Sequence, residues 1–112
     1  IYIRFKKIFV IDIKKAINSS VIEKLYYIFH SNPDIKEVIL YGSRAKGNFN
    51  ERSDIDLVLK NCKIDRYTLG MLQMEIDNSD IPYRLFVNNE DIRDNKLLQE
   101  IDKHGILIYK YD

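Results

Sequence analysis

Two aspartates, Asp54 and Asp56, stand two residues apart at the head of the apolar run Ile55 to Leu59. On an extended strand, side chains at that spacing share a face, about 6.6 Å apart along the chain. Carboxylates are hard oxygen ligands suited to magnesium, which keeps open positions for substrate phosphates. Two metal ions in a phosphoryl-transfer site lie about 3.5–4 Å apart, and two such acids can converge on them. The pair alone carries little weight. With eleven Asp in 112 residues, about one Asp-x-Asp arises by chance, and most are solvated strand edges.

The run Gly42-Ser43-Arg44-Ala45-Lys46-Gly47 supplies the complementary chemistry. Gly42 follows a short apolar run and lets backbone approach a ligand closely. Exposed N–H groups at the start of a helical turn favour phosphate, and the Ser43 hydroxyl adds a donor. Arg44 and Lys46 bring two cations to the same place, and Ser53 stands directly before the acids. A lone Gly-Ser is a plain turn. The conjunction of buried strand, Gly-Ser, basic turn and a second strand opening on two acids sets phosphate donors beside metal ligands.

Those residues need elements to hold them. Glu37 to Tyr41 and Ile55 to Leu59 read as buried strands, with a loop from Ser43 to Arg52 that has room for one helical turn. Ser20 and Glu23 have capping-box spacing, and Val21, Ile22, Leu25, Ile28 and Phe29 repeat at helical period, so residues 20–31 are a helix. Asn32-Pro33-Asp34 stops it. Asp65 caps a helix carrying Leu69, Leu72 and Ile76, weakened at Gly70 and with Met71 and Met74 in the core. Tyr83 to Val87 is a third strand. Ile92, Leu97, Leu98 and Ile101 form a last helix, capped by Gly105. Ile106 to Tyr109 is a final strand, and Ile1 to Ile13 partly alternates as a strand or extended arm. Tyr26 and Tyr27 cannot both face the core of one helix, so one points outward. Cys62 reads as a small buried filler.

The 112 residues make one domain. Lys and Arg number 18 against 17 Asp and Glu, a net charge of +1, which disfavours a dedicated nucleic-acid binder. The balance is uneven: residues 1–52 carry +5 and residues 53–112 carry −4. A basic front and an acidic back suit a site that handles both phosphate and metal. The single cysteine permits no disulfide within the chain, and with two histidines a zinc site is disfavoured. No apolar run reaches the roughly 18 residues of a membrane span, and the first residues lack a signal-peptide pattern. The expected location is cytoplasmic.

Gly42-Ser43-Arg44-Ala45-Lys46-Gly47 followed by Ser53-Asp54-Ile55-Asp56-Leu57 closely resembles the signature of the minimal nucleotidyltransferases of the DNA polymerase beta superfamily. The resemblance covers all but about the first dozen residues. It implies an α+β nucleotidyltransferase fold, a small mixed sheet flanked by helices. It implies that Gly42, Ser43, Arg44, Lys46 and Ser53 bind a nucleoside triphosphate, ATP by expectation, and that Asp54 and Asp56 are catalytic and hold Mg²⁺. The reaction would transfer a nucleotidyl group, AMP by expectation, to a hydroxyl. The small members resemble antitoxins that act on a HEPN-domain partner, so a HEPN-type protein or a second copy is the expected partner. The family's third carboxylate aligns with Phe86, which leaves the two-ion site incomplete. A second reading follows from that departure: a catalytically impaired module that binds or neutralises a partner protein.

Overall fold

Eight elements follow one another among the described residues, which are 16–79, 81, 84–88 and 91–111 of this computed structural model, with backbone alone for 84–88. They are α1 (Ser19–His30), β1 (Glu37–Tyr41), the single turn α2 (Ser43–Lys46), β2 (Ile55–Lys60), α3 (Arg66–Asp77), β3 (Arg84–Asn88), α4 (Asn95–His104) and β4 (Ile106–Lys110). The arm or strand expected over Ile1 to Ile13 lies outside the described residues.

Side-chain caps set where the helices begin. At α1 the cap is Asn18, whose side-chain oxygen accepts from the Ser20 N–H at 2.9 Å and from its hydroxyl at 2.8 Å. The expected capping box on Ser20 and Glu23 is therefore displaced: Ser20 already lies inside the helix. Asp65 caps α3 as expected, accepting from the Thr68 N–H at 2.7 Å. Asp94 does the same for α4 through the N–H groups of Lys96 and Leu97. Gly105 ends α4, but at φ −64° and not in the left-handed conformation. A glycine is needed there for room, since a Cβ would stand 2.7 Å from Ile39 Cγ2.

The sheet order is β3-β2-β1-β4. β1 pairs antiparallel with both β2 and β4, while β2 and β3 run parallel. A parallel pair needs a crossover, and α3 supplies it. The sheet is thus mixed, as the resemblance implies. Strand alternation divides its two faces. Val38, Leu40, Ile55, Leu57 and Leu59 join Leu25, Ile28 and Phe29 of α1 and Leu72 and Ile76 of α3 in the main core. On the opposite face Tyr41, Val58 and Ile101 form a smaller cluster, with Ile39, Ile92 and Leu97 packed on it. Two helices cover one face and α4 covers the other.

Met71 and Met74 correct the expectation of a core position: they are 49% and 57% exposed. Helix α3 buries the stripe of Leu72 and Ile76, and both methionines fall beside it. Of the tyrosine pair, Tyr26 packs against the core and Tyr27 points outward. Cys62 is half-buried at the core margin, its Sγ 3.4 Å from the Lys60 carbonyl.

Gly70 sits exposed in the middle of α3, with open space where a Cβ would stand. Gly70→Ala should raise stability by about 1 kcal/mol, because alanine loses less backbone freedom in a helix. Urea unfolding should show a higher midpoint with an unchanged slope.

Candidate active site

The chain leaves β1 at Tyr41 and turns at Gly42, whose φ of 79° lies in the left-handed region. That conformation favours glycine, and so does the surrounding space. A Cβ at position 42 would fall on Asp56 Oδ2, and would stand 3.3 Å from Asp56 Cγ. The backbone of the Gly-Ser turn and the second aspartate are therefore in immediate contact. The Gly42 carbonyl accepts from the N–H groups of Ala45 and Lys46, both at 3.1 Å, which winds the single turn α2. Gly47 closes it at φ 87°, donating to the Ser43 carbonyl at 2.9 Å. The Ser43 hydroxyl has no intramolecular partner among the described residues.

β2 brings the acids. Antiparallel register pairs Tyr41 with Asp56 and Leu40 with Leu57. Leu57 is in the main core, so Asp56, one residue earlier, belongs to the opposite face, with Tyr41 and Val58. Asp54 precedes the first ladder residue and is exposed, while Asp56 is half-buried. Burial, and secondarily the charge of Asp54, push the Asp56 carboxyl above the usual carboxylate range. Burial and then Asp56 likewise raise the Tyr41 phenol. Among the described residues no third His, Cys, Asp or Glu joins the two acids.

The two cations are already engaged. Arg44 is 8% exposed. Its Nε donates to the Ser53 carbonyl at 3.1 Å, Nη1 to the Ala16 carbonyl at 2.8 Å, and Nη2 to the Glu51 carbonyl at 3.2 Å. The Phe49 ring lies against the guanidinium at 5.0 Å. Arg44, expected to bind nucleotide, thus spends three of its donors on the protein's own backbone. Lys46 Nζ pairs with Glu100 of α4 at 2.7 Å, each side chain about one-third exposed (35% and 33%). The Glu100 carboxyl is held below the usual range, chiefly by its hydrogen bond from Lys46. Ser53 Oγ accepts from the Asn50 N–H at 2.9 Å, so this hydroxyl organises its own loop.

The register of β3 corrects the place of the third carboxylate. Asp56 pairs with Leu85, and Leu57 with Phe86. In a parallel pair, residues in register share a face, so position 85 is on the face of Asp56 and position 86 on that of Leu57. A one-residue offset in a sequence match reverses the face of every side chain on a strand. Both residues are apolar, so the site still lacks an acid on this strand. Asp80 and Glu90, which flank it, lie outside the described residues.

The donor set suits a hard divalent cation. A cation beside Asp56 would offset both its burial and the neighbouring charge of Asp54, and the bare Cα of Gly42 leaves the space beside Asp56 open. Reading residues in isolation misses Tyr41 and Glu100. Tyr41 is marked only by standing next to Gly42 in a strand. Glu100 has no local signal, because its pairing with Lys46 depends on how α4 docks.

No curated protein matches the chain in sequence. Among solved structures, it resembles a toxin–antitoxin complex determined with AMP-PNP, with a TM-score of 0.64 and 18% identity over 81% of this chain and 74% of the other. It also resembles a complex of a tri-AMPylated Shewanella oneidensis HEPN toxin with MNT antitoxin, with a TM-score of 0.60 and 18% identity over 84% and 73% of the two chains. A Sulfolobus solfataricus protein described as a nucleotidyltransferase gives a TM-score of 0.50 and 18% identity over 80% and 76%. At such identities these likenesses speak to fold alone. The family model described as polymerase beta nucleotidyltransferase matches residues 23–112. That span contains the glycine turn, both acids and all four strands, and the chain belongs to this family.

Proposed function

We propose that the chain binds a nucleoside triphosphate, ATP in the first instance, with Mg²⁺, and transfers its nucleotidyl group to a hydroxyl of a partner protein. The observation that carries this reading is the contact of Gly42 with Asp56, which sets a donor-bearing turn against an acid pair. Asp54 and Asp56 would hold the metal. Bound Mg²⁺ would neutralise phosphate charge and leave the α-phosphorus open to attack. The Ser43 hydroxyl and the N–H groups of its turn would grip the triphosphate. The acceptor oxygen bonds to the α-phosphorus as the bond to pyrophosphate breaks, and the hydroxyl proton passes to solvent. Lys46 reaches a phosphate only by leaving Glu100.

On this reading a second protein would position the acceptor. A helical HEPN-type partner fits this need, supported by the HEPN complex among the structural likenesses. A second copy of this chain is the alternative. We place its action in the cytoplasm; among the described residues no helix is long and apolar enough to cross a membrane.

The register of β3 favours a second reading as well. Leu85 beside Asp56 offers neither a metal ligand nor a proton acceptor. On that reading the chain keeps nucleotide binding, transfers slowly, and acts mainly by holding its partner.

Asp54→Asn with Asp56→Asn should abolish Mg²⁺-dependent ATP binding, read by calorimetric titration. Equal affinity in wild type and double variant would remove the metal-site reading. The same substitutions should stabilise the metal-free fold at neutral pH. A carboxyl whose pKa is raised by folding contributes stability that is fully present below its unfolded-state pKa and lost as pH rises through the folded value. The gain should therefore shrink on acidification and vanish once Asp56 is protonated in both states. Thermal unfolding across pH, without divalent cations, gives the measurement.

Leu85→Asp distinguishes the two functional readings. If the missing acid limits transfer, the variant should move labelled AMP to the co-purified partner about 10²-fold faster, the lower end of general-base effects. A wild type that already matches the variant would exclude the impaired reading.

A further inference from the structure

We propose that Arg44 is a positioning residue for the acid pair: by holding the Glu51 and Ser53 carbonyls it fixes the entry into β2 and thus the place of the Asp54 carboxylate. The inference rests on the metal-binding reading of Asp54 and Asp56 and adds a residue to it.

The pairing of β2 begins at Ile55, so Asp54 stands just before the strand. Asp54 takes its position from the loop before it. That loop is polar and mostly exposed, with Asn48, Asn50, Glu51 and Arg52 facing solvent. Its internal bonds shape it: Ser53 N–H to the Asn50 carbonyl at 3.1 Å, Asn50 N–H to Ser53 Oγ at 2.9 Å, and Arg52 N–H to Asn50 Oδ1 at 2.8 Å. None of those bonds ties the loop to the body of the domain. Arg44 does so, with one guanidinium bonded to two loop carbonyls and, on its far side, to the carbonyl of Ala16. Ala16 belongs to the main core. The fork is rigid and planar, which suits it to hold several carbonyls in fixed relation. Ser53 is the residue adjacent to Asp54. A shift at that carbonyl therefore moves the first acid relative to the second, which the sheet holds still.

Lysine keeps the charge and loses the fork, so Arg44→Lys separates positioning from simple electrostatics. The probe is Mn²⁺ alone, with the free ion counted by electron paramagnetic resonance and thermal unfolding followed in parallel. Arg44→Lys should weaken Mn²⁺ binding by about tenfold or more, the usual effect of losing a residue that orients a metal ligand. In an Asp54→Asn background the same change should cost nothing further, because it acts through Asp54. A merely structural arginine would lower the unfolding temperature and leave the affinity of the folded protein unchanged, and that result overturns the proposal. Costs that add in the double variant overturn it too. If Arg44→Lys does not fold, Phe49→Leu is read instead, since losing the ring against the guanidinium lets its bonds to the two loop carbonyls shift. Weaker Mn²⁺ binding supports the proposal and unchanged binding overturns it. A wild type without affinity for Mn²⁺ removes the metal-site reading itself, which distinguishes that failure from this one.

Discussion

No side-chain carbon can stand at position 42, and the arrangement of the site follows from that exclusion. A Cβ there would occupy the space of the Asp56 carboxylate. Because the position is bare, β1 and β2 stay paired to their common end, where Tyr41 faces Asp56. The positive φ then turns the chain at once into α2. One glycine thus serves the sheet register, the tight turn and the closeness of phosphate donors to carboxylate. A larger residue would have to separate elements that the core holds together.

The acids lie on the less heavily covered side of the sheet. Ile55, Leu57 and Leu59 enter the main core under α1 and α3. The alternate positions of the same strand begin with Asp56 and continue with Val58, over which α4 packs. Strand alternation thus separates the groups that stabilise the fold from those that can meet a ligand. Asp56 is buried enough for its charge to be disfavoured, and Asp54 beside it adds repulsion. That local cost is tolerable because Leu40, Leu57 and Leu59 are completely buried in the adjoining core. Each such side chain is worth about 1.5–3 kcal/mol relative to exposure.

The uneven charge of the two halves acquires a structural meaning. Arg44, from the basic half, is consumed by backbone carbonyls, where a buried guanidinium satisfies three acceptors at once. Lys46 crosses to Glu100 in the acidic half and links α2 to α4. The asymmetry is therefore partly internal pairing and only partly charge available to a ligand. Glu100 also makes the last helix a neighbour of the site, although it lies far along the chain.

Much of the fold was legible in the residues themselves. Helical period located α1 and α3, and Asp65 marked the start of α3 by a bond within one turn. Apolar runs located the strands, with Asp56 inside the second of them. These are local properties, fixed by backbone geometry over a few residues. Tertiary structure decided the rest. Met71 and Met74 look like core residues by type, yet the rotation of α3 against the sheet leaves them exposed. Arg44 looks like a phosphate ligand by its motif, yet burial turns its donors onto three carbonyls. By sequence match Phe86 takes the place of the family's acid, yet the register with β2 sets position 85 level with Asp56. Each of these depends on the angle or offset at which distant segments meet, and a shift of one residue or a fraction of a helical turn reverses the outcome. Local sequence carries no such phase; it is settled only when the hydrophobic faces of separate elements close on one another.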